Sequence, residues 1–133
     1  MKLRLDQASP IYQQIIDEFK RSIARGELGP GDKIPSQREL ATMIQVNPNT
    51  VQRAYREMEQ ERIAETLRGQ GTFITNDPGL VARVRREMAD RALASFVREM
   101  HSLGYTKEAM TELVGEAYDQ VIRGGAAGGD DDV

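Results

Sequence analysis

The order of caps and breakers between Ser36 and Ile74 constrains this 133-residue chain more than any other feature in it. Ser36-Gln37-Arg38-Glu39 has the spacing of a capping box. The serine side chain can accept from the backbone N–H three residues on, while the glutamate reaches back to the N–H of the cap. A helix starting there has Leu40, Met43 and Ile44 as its apolar face and extends only to about Ile44. Asn47-Pro48 is already the next start: asparagine caps, and proline at a first helical position gives up only a donor that would be unpaired. Val51, Ala54, Tyr55 and Met58 then follow at helical spacing. Residues 63–67 and 72–75 are short β-prone runs separated by Arg68-Gly69-Gln70-Gly71, whose glycines supply the positive φ of a tight reversal. The pattern predicts a helix, a turn of three or four residues, a longer helix and a β-hairpin.

The flanks are helical too. In residues 10–25, Ile11, Ile15, Phe19 and Ile23 recur every four residues, and Tyr12 and Ile16 widen the stripe. Ser9 is expected to cap this helix with Pro10 as its first residue, and Gly26 ends it. Glycines and prolines in residues 28–35 then make an ordered linker. From Leu80 a long helix carries Val81, Val84, Met88, Ala92, Phe96, Met100 and Leu103 along one side and stops at Gly104. Thr106 caps a last helix whose stripe is Met110, Leu113, Val114, Ala117, Val121 and Ile122, with Gly124-Gly125 as its end. Two glycines and three aspartates in residues 126–133 bury nothing, so disorder is expected there.

The fold class is therefore mainly α with a small β-hairpin: a winged helix-turn-helix domain over residues 1–76, a two-helix dimerisation region over 77–123 and a disordered acidic tail over 124–133. Apolar stripes on two helices leave more surface than one small domain covers, so a homodimer is expected, with Val84, Met88, Phe96, Met100, Met110, Leu113, Val114 and Ala117 in its interface. Met88, Phe96 and Met100 are also compatible with a small apolar ligand pocket, and the sequence names no effector molecule.

Composition excludes several function classes. The chain has no cysteine and one histidine, His101, so disulfides, thiolate chemistry and a histidine-based metal pair are ruled out, and no cofactor is indicated. No nucleophile and base can be assembled for catalysis. No apolar run approaches a bilayer span and the first residues lack the apolar core of a secretory signal, so a cytoplasmic location without membrane association is expected. Net charge is −3, but it divides unevenly, at +1 over residues 1–75 and −4 over 76–133. Binding to nucleic acid would rest on cations gathered locally and doubled by dimerisation, not on overall charge.

Such a gathering is visible. Asn49, Gln52, Arg53 and Arg56 lie off the apolar stripe of the third helix, offering amides that suit adenine and guanidinia that suit guanine or phosphate. Arg38, in the first turn of the second helix, sits beside free backbone N–H groups and suits phosphate, with a surface salt bridge as its plainer alternative. The hairpin tip offers Arg68, Gln70 and unobstructed backbone at Gly69 and Gly71, which suits a minor groove or its phosphates. Tyr12 and Tyr55 lie beside their helices' stripes and read as core rather than as stacking residues.

The ordered motifs Pro10-Ile11-Tyr12-Gln13-Gln14-Ile15, Gly31-Asp32-Lys33-Ile34-Pro35-Ser36-Gln37-Arg38-Glu39-Leu40-Ala41, Val46-Asn47-Pro48-Asn49-Thr50-Val51, Ala54-Tyr55 and Gly69-Gln70-Gly71-Thr72-Phe73 resemble the GntR family of bacterial regulators. The resemblance implies a transcriptional repressor on double-stranded operator DNA. It also implies DNA contacts at Arg38, at Asn47, Asn49, Thr50 and Gln52, and at Gln70 with Gly69 and Gly71. Many relatives carry arginine where Pro48 stands, and several carry histidine at the position of Gln70. The 58 residues after Thr75 are too few for the large effector domains of most branches and resemble the small YtrA-type branch. A protein-interaction module built on the same winged helix is the main alternative, and an enzyme the weaker one.

Overall fold

The computed structural model describes residues 9–127. Its elements are α1 (Ile11–Ala24), β1 (Lys33–Ile34), α2 (Gln37–Ile44), α3 (Pro48–Gln60), β2 (Ala64–Leu67), β3 (Gly71–Ile74), α4 (Leu80–Ser102) and α5 (Lys107–Ala127). They divide into two compact units after Ala89, inside α4.

In the first unit, α1 and α2 pack on α3, and an antiparallel sheet of order β1-β3-β2 closes the far side. β2 and β3 are the expected hairpin, in register Ala64↔Ile74 to Leu67↔Gly71. β1 was not expected. It pairs Lys33 with Phe73 and Ile34 with Thr72, which turns the Gly/Pro linker into a sheet edge. A two-residue strand has no alternation to betray it; here it exists because β3 offers an unpaired edge.

The helix ends follow local chemistry. The Ser36 hydroxyl accepts from Glu39 N–H at 3.1 Å and the Glu39 carboxylate accepts from Ser36 N–H at 2.8 Å, completing the capping box. Asn47 caps α3 by accepting from Asn49 N–H at 2.8 Å, with Pro48 behind it. Thr106 caps α5, and Gly104 takes the left-handed conformation, φ +93°, after α4. Two expectations fail. Pro10, not Ser9, is the N-cap of α1: its carbonyl accepts from Gln13 and Gln14 N–H, and no side chain caps the helix, because proline has no side-chain acceptor. α5 continues through Gly124-Gly125 to Ala127, since two glycines weaken a helix without ending it. Of the tail expected over 124–133, residues 128–133 lie outside the described residues.

The core of the head is one cluster: Ile15, Ile16, Phe19 and Ile23 of α1, Leu40 and Ala41 of α2, Val51, Ala54, Tyr55 and Met58 of α3, Ile34, Ile63, Ala64 and Ile74 of the sheet region, and Leu80 and Val84 of α4. Tyr55 is fully buried, edge-on to Phe19 with ring centroids 5.9 Å apart, and its hydroxyl donates to the Pro35 carbonyl at 2.6 Å. Burial, with the Glu39 charge adding to it, pushes the phenol pKa well above its ordinary value, so it stays a donor.

The head therefore reaches Ala89 instead of stopping at 76. Val84, expected at a dimer interface, is fully buried in this core, and Met88 packs against the same cluster. Polar contacts tie the same stretch down. Lys20 of α1 bridges Glu61, the C-cap of α3, at 3.0 Å and Glu87 of α4 at 2.6 Å. Arg85 donates twice to the Ala24 carbonyl at the end of α1, while Arg83 reaches the Glu61 and Arg62 carbonyls after α3. Cations at two helix C-termini satisfy orphan carbonyls and complement the helix dipoles.

The second unit holds the rest of α4 and α5. Among its described residues nothing is fully buried. Leu93, Phe96 and Val97 on α4 and Val114, Tyr118, Val121 and Ile122 on α5 are all exposed, Val121 at 65%.

Candidate nucleic-acid interface

Because Val51, Ala54, Tyr55 and Met58 turn one side of α3 into the core, the opposite side is forced outward. Asn47, Asn49, Gln52 and Arg56 are exposed there and Thr50 is half-buried, so Asn49, Gln52 and Arg56 share one outward face that runs along the helix from its cap at Asn47. Asn47 already uses its side-chain oxygen as the cap, which leaves its amide N–H groups for a partner.

Arg53, exposed on the same side of α3, differs from its neighbours in having partners within the head. Its guanidinium lies 3.8 Å from the centroid of the Tyr12 ring, donates to the Tyr12 hydroxyl at 3.2 Å, and pairs with Glu57 at 3.2 Å. These contacts hold it back onto α1 and the following turn of α3. Tyr12 thereby gains a function as an anchor for Arg53, which its position beside the α1 stripe does not reveal.

Arg38, Arg56 and Arg68 are exposed and enter no ion pair among the described residues. Arg38 therefore lacks the surface salt bridge that was its plainer alternative. It stands in the first turn of α2 next to Glu39, whose carboxyl is held below the usual carboxylate range by the Ser36 backbone N–H and then the Ser36 hydroxyl.

The hairpin tip is a turn closed by Gln70 N–H donating to the Leu67 carbonyl at 2.8 Å, with Gly69 at φ +77°. Arg68, Gly69 and Gln70 project from it, exposed. Gly71, at φ +124°, sits where the tip joins β3, and a Cβ there would come within 2.9 Å of Lys33 Cε. Lys33 is thus a cation at the wing that sequence reasoning missed; only the β1–β3 pairing brings it there.

The model of the gntR family of bacterial regulatory proteins matches residues 11–74, the span that holds all of these groups. The regulator YhcF of Bacillus subtilis is 46% identical over 112 residues, covering 84% of this chain and 93% of YhcF. The chain belongs to the GntR family. The transcriptional repressor YtrA of the same organism is 43% identical, with 82% of this chain and 85% of YtrA covered, so the chain is YtrA-like in extent as well as in sequence. A solved GntR family regulator from Listeria monocytogenes superimposes with a TM-score of 0.77 at 38% identity, over 84% of this chain and 98% of that one. The GntR head described above is that of a DNA-binding transcriptional regulator, and its winged helix-turn-helix is the family's DNA-binding fold.

Among the residues expected to pair two copies, Val84 is fully buried in the GntR head and Met88 is partly buried against it. Met100, Met110 and Leu113 are half-buried, while Phe96, Val114 and Ala117 are exposed. An open cavity of about 550 Å³ in the second unit is lined by Leu93, Phe96, Val97, Lys107, Met110, Thr111 and Val114. Of the three positions considered for a ligand pocket only Phe96 lines it. Among the described residues no cluster of His, Asp and Glu suits a metal ion, and no helix is long and apolar enough to cross a membrane.

Proposed function

We propose that this GntR regulator is a homodimeric, cytoplasmic repressor that occupies an inverted-repeat operator and acts by binding, not by catalysis. One observation carries the reading: α3 turns an exposed row of amides and a cation, Asn49, Gln52 and Arg56, outward along its length, flanked by the unpaired cations Arg38 and Arg68. Amides and guanidinia on a helix that fits the major groove read base edges, while cations at a helix start and a wing grip phosphate. Arg38, Asn47, Asn49, Thr50, Gln52, Arg56, Arg68 and Gln70 form the DNA surface, with Gly69 and Gly71 allowing close approach of the backbone. Arg53 positions the helix through Tyr12 and Glu57.

Dimerisation is supported by the second unit, where no described side chain of α5 is fully buried and Val114, Tyr118, Val121 and Ile122 are exposed. A second copy covers Phe96, Met100, Met110, Leu113, Val114 and Ala117, joined by Leu93, Tyr118 and Val121, and pairs two heads on half-sites about one helical turn apart or a small multiple of it. The similarity to the YtrA repressor supports repression as the outcome. The interface so drawn takes up the open cavity, which Leu93, Phe96, Met110 and Val114 line.

Fluorescence anisotropy with a duplex from the regulator's own promoter and a scrambled duplex, at several salt concentrations, tests the reading. Arg38→Ala weakens binding to both duplexes and flattens the salt dependence, whereas Gln52→Ala lowers only the preference for the operator. Equal losses on both duplexes for the two variants overturn the division of labour. Sedimentation of Val121→Asp as a monomer, against a dimeric wild type, checks the interface; a monomeric wild type refutes it.

A further inference from the structure

We propose that Lys33 is a phosphate-anchoring residue of the DNA interface, and that Gly71 is glycine in part to let the Lys33 side chain pass. The inference rests on the DNA-binding surface proposed above and adds a residue to it.

The backbone of Lys33 lies opposite Phe73 in the β1–β3 ladder. Its side chain does not stay there: Cε lies 2.9 Å and Nζ 3.4 Å from the position a Cβ of Gly71 would take, two residues nearer the wing tip. The ammonium is therefore carried along the wing toward Arg68, Gly69 and Gln70. Lys33 is exposed and enters no ion pair among the described residues. The acid whose charge it influences is Glu39, and that carboxylate is committed to the Ser36 N–H at 2.8 Å. An unpaired lysine laid on a glycine is a poor structural device, since its head group enters no hydrogen bond or ion pair among the described residues. It is a good external one.

Placement strengthens the case. β1 pairs with the wing strand β3 on one side and leads through Pro35 directly into the capped start of α2, so Lys33 links the wing and the helix that carries Arg38, the two regions proposed to hold phosphate. Residues 1–75 have a net charge of only +1, so each cation without an internal partner is a large share of what can displace counterions. The φ of +124° at Gly71 disfavours any side chain there, and the lysine stem adds a steric reason of its own.

The test is the salt dependence of binding for the full chain as a dimer, with Lys33→Met and Lys33→Arg beside Arg38→Ala. Loss of one phosphate contact per head lowers the slope of log K against log[salt] by about 0.9, or about 1.8 for two heads. Lys33→Met is expected to show that drop, equally on operator and scrambled duplexes, while Lys33→Arg keeps the wild-type slope. Such a change is not produced by a structural role, which would move the melting temperature and leave the slope alone. A wild-type slope for Lys33→Met, with Arg38→Ala lowering it, overturns the role of Lys33 and leaves the interface standing; wild-type slopes for both overturn the interface itself.

Discussion

Replacing Lys20 by methionine should destabilise the head by roughly 2 kcal/mol, and the reason lies in an unequal burial. The Lys20 side chain is 4% exposed, whereas its partners Glu61 and Glu87 are 43% and 37% exposed. Hydrogen bonds to charged groups contribute about 1.5–3 kcal/mol each. Here two are lost, but both carboxylates face water and rehydrate, and methionine refills most of the channel left by the lysine stem, so the net cost is well below the sum. For a unit of under 100 residues that loss lowers Tm by roughly 8–16 °C. Urea and thermal unfolding followed by circular dichroism, at fixed protein concentration because a dimer's stability depends on it, measure the effect. A double-mutant cycle with Glu87→Gln should give a coupling of about 1 kcal/mol. The pH dependence provides a separate check. Burial alone would lower the Lys20 pKa, but the hydrogen bonds to Glu87 and Glu61 outweigh it and hold it above its ordinary 10.5. A cation whose pKa is raised on folding contributes stability that is complete below the unfolded value and is lost as pH climbs through the folded one. The gap between wild type and Lys20→Met is thus flat from neutrality to about pH 10 and narrows above it. A variant as stable as wild type, or a coupling near zero, refutes the view that this triad fastens α1, α3 and α4 together.

Tyr55→Phe removes the donor to Pro35, and leaves that carbonyl short of a partner, so a loss of about 1–2 kcal/mol is expected in urea unfolding; no loss would mean the hydroxyl does not anchor the entry to α2. Gly69→Ala meets nothing within 4 Å, so its cost is purely conformational, about 1–2 kcal/mol at φ +77°, and a much larger loss would reveal a contact at the wing tip. Ser36→Ala costs about 1 kcal/mol by removing the cap of α2. The depressed pKa of Glu39 makes its contribution present above its ordinary 4.5 and lost as pH falls through the folded value, so Glu39→Gln should flatten the acid limb of the stability profile.

What could be read from the sequence was whatever local chemistry decides. The capping box at Ser36, the Asn47-Pro48 start, the reversal at Gly69 and the stop at Gly104 each depend on residues within a few positions, and each forms as expected. The outward face of α3 was legible for the same reason, since it is the complement of a four-residue apolar stripe. Contacts between distant segments were not legible. Arg53 looks as free as Arg56 in sequence, and only the approach of α1 lays Tyr12 beneath it. Lys33 reads as a linker residue until β3 gives its two-residue strand an edge to join. Gln45, which ends α2 at φ +54°, has none of the glycine signal that normally marks a left-handed cap.

The stripe of α4 shows where periodicity stops being informative. Val84, Met88, Phe96 and Met100 lie along one side of a single helix, and nothing in their spacing separates the first pair from the second. Yet Leu80 and Val84 are fully buried in the head and Met88 packs on it, whereas Phe96, with Leu93 and Val97 beside it, is left uncovered. A hydrophobic period reports which face of a helix avoids water, not which body covers it. The difference shows instead in the polar neighbours: Arg83, Arg85 and Glu87 all have partners in the head. The proposed division of the helix therefore predicts opposite responses along one stripe. Val84→Ala should cost about 1–3 kcal/mol of head stability without changing the oligomeric state, and Phe96→Ala should weaken dimerisation while leaving the head's unfolding unchanged. If Phe96→Ala instead lowers the stability of the head and the dimer survives, α4 serves one core throughout and the division is wrong.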